Sequence, residues 1–331
     1  ICNNTTVCNE LKQYGAVQPL IDELRKHCRG PIANSDYICD VTNLILQLIK
    51  NGVGKQEFTS SAALASIVDS LKISRQDTKL NTLQIILYIS DTKQARTDLT
   101  SFNCFNYLMS ILKESIEDKS QELIYNALAS IAHFSRDGPI RTLLSSARYI
   151  FPAIFDAMAS SGKAPPHTRL AAAGILGRLL ADDGLKKLRE HLIREDVLAV
   201  LVSGVEDEEP IVKKECINCI THIVGFVPAY FDLFVPVVRP IVNAVACKEN
   251  YLVVRALRCL EALSDFERMI PQLVKHGVVT VLCTLMADDP KDMSADVIEA
   301  ASDLVINLAF DRPARDDMVK NQLILPVLGF S

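Results

Sequence analysis

Apolar residues in this chain recur at helical spacing within short segments, and the segments themselves recur. In Asn126-Ala127-Leu128-Ala129-Ser130-Ile131-Ala132-His133-Phe134, the residues Ala127, Leu128, Ile131 and Phe134 share one side of a helix and Ser130 is turned elsewhere. The same pattern predicts longer apolar helices over 36–50, 79–90, 120–134, 167–181, 211–225, 251–264 and 295–309. Ahead of each comes a shorter apolar segment, as in Gly15-Ala16-Val17-Gln18-Pro19-Leu20-Ile21. Its leading apolar slot is filled in turn by Leu20, Ile67, Leu108, Ile154, Leu201, Ile241, Leu282 and Leu328, at steps of 40 to 47 residues. That period marks solenoids whose units hold two or three helices.

Breakers fall between the units: Arg29-Gly30-Pro31, Asp137-Gly138-Pro139, Lys163-Ala164-Pro165-Pro166, Asp288-Asp289-Pro290 and Arg312-Pro313. Pro165-Pro166 before His167 suits the first turn of a helix. No alternating strand pattern, low-complexity stretch or long linker interrupts the series. The expectation is an all-α fold, a right-handed α-solenoid of about seven repeats, forming one domain over 1–331 without an internal boundary. The chain begins on Ile1 and stops at Ser331 within a unit, so it reads as a fragment of a longer protein.

Composition narrows the classes. Hydrophobic residues make up 49%, enough for a continuous core, and the formal charge of −5 gives no call for nucleic acid. Apolar runs such as Leu44-Ile45-Leu46 and Val235-Pro236-Val237-Val238 are far shorter than the roughly 20 residues of a membrane span. The ten cysteines are dispersed through helical patterns, which reads as reduced and intracellular, placing the chain in the cytoplasm with the nucleus as an alternative. Asn3-Asn4-Thr5 and Asn4-Thr5-Thr6 match glycosylation acceptors, meaningful only in a secreted protein, and are read as chance.

Two stretches carry a resemblance. One runs from Leu83-Gln84-Ile85-Ile86-Leu87-Tyr88-Ile89-Ser90 through Ala95-Arg96-Thr97-Asp98-Leu99 to Leu108. The other runs from Leu304-Val305-Ile306-Asn307-Leu308-Ala309-Phe310 through Ala314-Arg315-Asp316-Asp317-Met318-Val319 to Leu328. Both resemble the third helix, link and next first helix of armadillo repeats, relatives of HEAT repeats. The resemblance covers the chain and implies a concave groove lined by third helices. In the nuclear-import adaptors of that family, an Asn near the helix end and a Trp one turn earlier hold an extended peptide. Here the Asn slot is filled by Gln47, Tyr88, Ser130, Arg178, His222, Ala262 and Asn307. The earlier slot holds Asn43, Gln84, Asn126, Gly174, Asn218, Arg258 and Asp303, and the chain has no Trp. The import mechanism of that family is therefore not expected.

The stripe is still polar on otherwise apolar helices. Amides at Asn43, Gln84, Asn126 and Asn218 can both donate to and accept from a peptide unit. A further turn back lie Asp40, Asn81, Glu215 and Arg255. Arg178, Arg255 and Arg258 would make the middle of the groove basic, suited to acidic or phosphorylated partners. Against this stands the general rule that solvent-facing helix positions are polar whatever they do. Cys216-Ile217-Asn218-Cys219-Ile220-Thr221-His222 has metal-like spacing, but no second pair follows, and buried thiols packed as small hydrophobes explain it better. That reading extends to Cys247, Cys259 and Cys283. No phosphate loop, nucleophile elbow or His-Glu-x-x-His is present, and His133, His167, His191 and His276 show no evident partner.

The expected function is a non-enzymatic protein–protein interaction scaffold or adaptor, without cofactor or metal, holding a partner's peptide or helix in the groove. Two other readings stand beside it. One is a regulator clasping a folded partner, as a nucleotide-exchange factor for a small GTPase or an Hsp70 chaperone, using acidic patches such as Glu206-Asp207-Glu208-Glu209. The other is an assembly module that pairs with a second copy or another part of its own chain.

Overall fold

A computed structural model describes residues 5–29, 34–159, 164–287, 293–321 and 323. The chain divides into two compact units, 1–153 and 154–331. All regular structure among the described residues is helical. The first unit contains α1 (Thr5–Gln13), α2 (Val17–Arg29), α3 (Ser35–Lys50), α4 (Lys55–Phe58), α5 (Ser61–Ser70), α6 (Gln76–Ile89), α7 (Lys93–Ser101), α8 (Cys104–Glu117), α9 (Gln121–Phe134) and α10 (Gly138–Ser146). The division falls within α11 (Ile150–Ala159). The second unit contains α12 (Pro166–Ala181), α13 (Lys186–Arg194), α14 (Val197–Val205), α15 (Pro210–Ile223), α16 (Val227–Val245), α17 (Asn250–Ser264), α18 (Ile270–Lys275), α19 (Val278–Met286), α20 (Ala295–Ala309) and α21 (Arg312–Lys320).

The long helices of the sequence pattern are α3, α6, α9, α12, α15, α17 and α20, each starting and ending within three residues of its predicted range. In the first unit α6 packs between α3 and α9; in the second, α15 packs between α12 and α17, and α17 also meets α20. A helix placed between two others must be apolar on more than one side. Accordingly Ala127 through Ala132 of α9 are buried without interruption, as are Ala172 through Gly177 of α12. Ser130, read from sequence as turned away from the apolar side, is therefore buried too, because that side of α9 faces another helix. Its hydroxyl donates to the Leu83 carbonyl at 2.9 Å.

The residue ahead of several second helices has a backbone cause. At four joints between a first and a second helix the linking residue adopts positive φ, namely Gly15 (68°), Asn103 (65°), Asp196 (59°) and Gly277 (84°), whereas α4–α5 and α10–α11 are joined without one. Glycine, asparagine and aspartate tolerate this left-handed conformation best, so the turn selects them. Helix starts are capped locally: Asn34 accepts from Tyr37 N, Thr92 from Ala95 N and Asp311 from Ala314 N. Pro166 and Pro210 occupy first-turn positions, where no N–H is needed.

Helix α16 departs from the pattern. It joins a first and a second helix across a kink at Tyr230 (φ −132°, ψ 36°). With α15 it makes the run Pro210–Val245, which by length and composition is long and apolar enough to cross a bilayer, contrary to the short runs read from sequence. That run is two helices separated by the turn Val224–Phe226, and α15 packs between two neighbours. Gly30, Pro31, Lys163, Asp288, Asp289, Pro290 and Leu328, and the Asn3 and Asn4 acceptors, lie outside the described residues.

One polar contact is buried within the second unit. Arg169 holds Asp207 through Nε at 2.6 Å and Nη2 at 3.0 Å, and its Nη1 donates to the Ala164 carbonyl at 2.6 Å. The two side chains are only 7% and 2% exposed. Asp207 is thus no part of an acidic surface patch, as the charge run around it implied, because the guanidinium draws it inside. Arg169→Met alone should lower stability by about 3–5 kcal/mol, since it strands a buried carboxylate. Arg169→Met with Asp207→Leu should recover most of that loss in urea denaturation. A single variant as stable as the double one would show the pair to be unimportant.

Candidate functional site

The positions of the predicted stripe differ in exposure, and each unit is described by itself. In the first unit Asn43 and Tyr88 are exposed, while Gln47, Gln84 and Asn126 are half-buried. The amides are partly engaged among themselves and with their own helices. Gln47 Nε2 donates to Asn43 Oδ1 at 3.4 Å, Lys50 Nζ to Gln84 Oε1 at 2.9 Å, and Asn126 Nδ2 to the Glu122 carbonyl at 2.8 Å. Each still has a donor or an acceptor to offer. Asn81 is turned to the neighbouring helix, where its amide approaches Cys39 O at 3.4 Å and Thr42 Oγ1 at 3.5 Å.

In the second unit Arg178, Asn218, Arg258, Asp303 and Asn307 are half-buried, and His222 and Arg255 are exposed. Asn218 makes no side-chain hydrogen bond among the described residues. Arg255 makes no ion pair there. The expected basic character fails at Arg258. Its guanidinium meets Asp303 at 2.6 Å, Glu261 at 3.0 Å and Glu299 at 3.1 Å. These carboxylates, Glu261 first, raise its pKa further and leave the level formally acidic. Asn307 Nδ2 reaches Ser264 Oγ at 3.1 Å and Asp265 Oδ1 at 3.3 Å, so it ties α20 to the end of α17. Ser130 and Gly174, two further slots of the series, are buried. Arg178 lies over Gly174, where an added Cβ would stand 3.1 Å from its Nη1.

No family model matches the sequence, and neither does any curated protein. Solved structures do match in fold. A designed armadillo repeat protein superposes with TM-score 0.59 at 18% identity, over 74% of this chain and 99% of its own. Computationally designed armadillo repeat proteins for modular peptide recognition give 0.61 at 17% identity, with 74% and 99% covered. An engineered protein gives 0.70 at 14% identity, over 98% of this chain and 86% of its own. The fold is an armadillo-type α-solenoid.

Sequence reasoning missed a set of arginines that hold the armadillo layers together. Arg96, on α7, donates from Nη1 to the carbonyls of Ser90 and Asp91 at 3.2 and 3.1 Å. Its Nε and Nη2 grip Asp137 at 2.9 and 3.2 Å. Arg141 on α10 reaches Ser135 O and Arg136 O at 3.3 and 3.0 Å, and Arg315 on α21 reaches Ala309 O at 2.6 Å. Each satisfies carbonyls left open where a long helix ends. A local signal exists: each arginine follows by four residues the residue that opens its helix, Thr92, Asp137 or Asp311.

The other chemistry-bearing residues are placed plainly. Cys216, Cys219 and Cys259 are buried, as small hydrophobes would be, and burial raises all three thiols, Cys259 to about 12. Cys219 Sγ points to the Ala173 carbonyl at 3.6 Å. Cys247 and Cys283 are only half-buried. Among the described residues no cluster of His, Cys, Asp and Glu could hold a metal ion. His133, read as partnerless, has Ser90 Oγ 3.0 Å from its Nδ1. Sequence could not show this, because the partner lies 43 residues back, one armadillo layer away.

Burial, then Arg136, lowers the His133 pKa from 6.5 to about 4. Between those values the unfolded chain binds a proton that the native chain refuses, so stability falls as pH drops through that window. Urea midpoints measured from pH 7 to pH 4 should fall less steeply for His133→Gln than for the native chain. Equal slopes would mean that His133 is protonated in the fold.

Proposed function

We propose that this armadillo protein is a binding scaffold without catalytic chemistry of its own, taking a partner's extended peptide along the open faces of its long helices. The single observation behind this reading is the open amide stripe. Asn43, Gln84, Asn126 and Asn218 occur at one position in four repeats and stay outside the apolar interior, where Ala or Leu would serve packing equally well. An amide row can bracket peptide N–H and C=O groups and give affinity that does not depend on sequence. One fold relative is described as bound to the peptide (KR)4, and another as designed for modular peptide recognition. Flanking groups would supply selectivity. Asp40 and Tyr88 belong to the first unit's face; Arg178, His222 and Arg255 belong to the second's, and suit an acidic or phosphorylated segment there.

Peptides selected from a displayed random library against the whole chain should bind with one peptide per chain. Asn43→Ala combined with Asn126→Ala, both in the first unit, should weaken them tenfold or more, a loss of about 1.4 kcal/mol, at an unchanged melting temperature. Selection that returns no binder, or binders indifferent to both substitutions, would rule out the amide stripe as the contact surface.

A further inference from the structure

Within the second unit, the start of α16 and the turn between α17 and α18 form a cleft of about 390 Å³. That volume falls in the range of small-ligand sites. Buried Val227 and half-buried Phe231 and Phe266 line it, together with the exposed Asp265, Glu267 and Arg268. Apolar rings and carboxylates thus share one opening to solvent.

Arg268 shows what the cleft accepts. Its guanidinium carbon stands 4.2 Å from the centroid of the Phe231 ring, within the reach of a cation–π contact. It makes no ion pair among the described residues, although two carboxylates line the same cleft. Glu267 makes none there either, and the side chain of Asp265 accepts only from Asn307 Nδ2, at 3.3 Å. A cation that holds a ring but no carboxylate, beside carboxylates that hold no cation, is a half-filled arginine seat. Asn307 joins this cleft to the stripe. It lies one turn after Asp303 on α20, where Asp303, Glu261 and Glu299 outnumber the single Arg258. The charge on both sides of Asn307 is therefore net negative and complements a cation on a partner.

We propose that this cleft seats an arginine side chain of the bound peptide. The incoming guanidinium would take the Phe231 face that Arg268 now covers and turn its N–H groups to Glu267 and the open oxygen of Asp265. Arg268 is then a built-in competitor, holding the ring until a partner arrives. Lysine has no flat cation to lay on the ring and fits less well. Only the peptide as carrier rests on the groove reading; the seat itself is tested with a free arginine derivative.

The test follows the Val227 methyl signals by NMR, assigned with Val227→Ile, as N-acetyl-arginine methylamide is added to the whole chain. The citrulline counterpart, alike in shape but uncharged, is the control. The arginine derivative should shift Val227 saturably, and the citrulline derivative should bind about tenfold more weakly for want of charge. Arg268→Gln changes an exposed residue without an ion pair, so the fold is kept, and the arginine derivative should then bind about threefold tighter, the scale of one exposed cation–π contact. Glu267→Gln should weaken it. Equal binding of the two derivatives overturns the seat, and so does an Arg268→Gln chain that binds the arginine derivative no tighter than the native chain. Selected peptides should lose affinity when their arginine is exchanged for citrulline. Peptides that respond to the amide substitutions but ignore this exchange overturn the peptide-borne source. A selection that returns no peptide, beside an arginine derivative that still titrates, would end the groove reading and leave the seat standing.

Discussion

Everything in this fold follows from helices that are apolar on more than one side and so cannot be stable alone. Six consecutive residues of α9 and six of α12 are buried. Such a helix has to be covered by another layer, and that layer by the next, which is how a repeat array spreads its core along the chain. Fully burying one Leu or Ile is worth about 1.5–3 kcal/mol, so each missing neighbour would expose several such contributions together. The price is that each long helix must end abruptly and let the chain turn back, leaving carbonyls without partners.

Two devices meet that demand. Left-handed residues at Gly15, Asn103, Asp196 and Gly277 reverse the chain between first and second helices without displacing the layers. Arginines one layer on close the carbonyl ends of the long helices, as Arg96, Arg141 and Arg315 do. With the turns fixed and the ends closed, the side of each long helix that meets no other helix can vary without loss of fold. That freedom is why a binding surface can sit there, and why polar residues on it do not by themselves prove one.

The limits of the long helices were legible in the sequence because periodicity is local, and nine residues are enough to locate α9. What could not be read is whatever depends on a partner one repeat away. Asp207 looked like one of four solvated acids and is buried against Arg169, 38 residues back. Arg258 looked like a free cation and is taken by Asp303, 45 residues on. Asn307, the one slot that matched the family's asparagine, is turned to Ser264, and His133 found Ser90. Spacing near 40 says which positions face each other across layers, but not which pairs will close.

That distinction decides how charge on an armadillo face should be read. A cation matched by three carboxylates, like Arg258, contributes architecture and repels little. A cation that meets no carboxylate among the described residues, like Arg255, keeps its field for whatever arrives. Counting arginines on the stripe would place the positive centre of the second unit at Arg178, Arg255 and Arg258. Counting partners takes Arg258 out of that list, because three carboxylates already meet it.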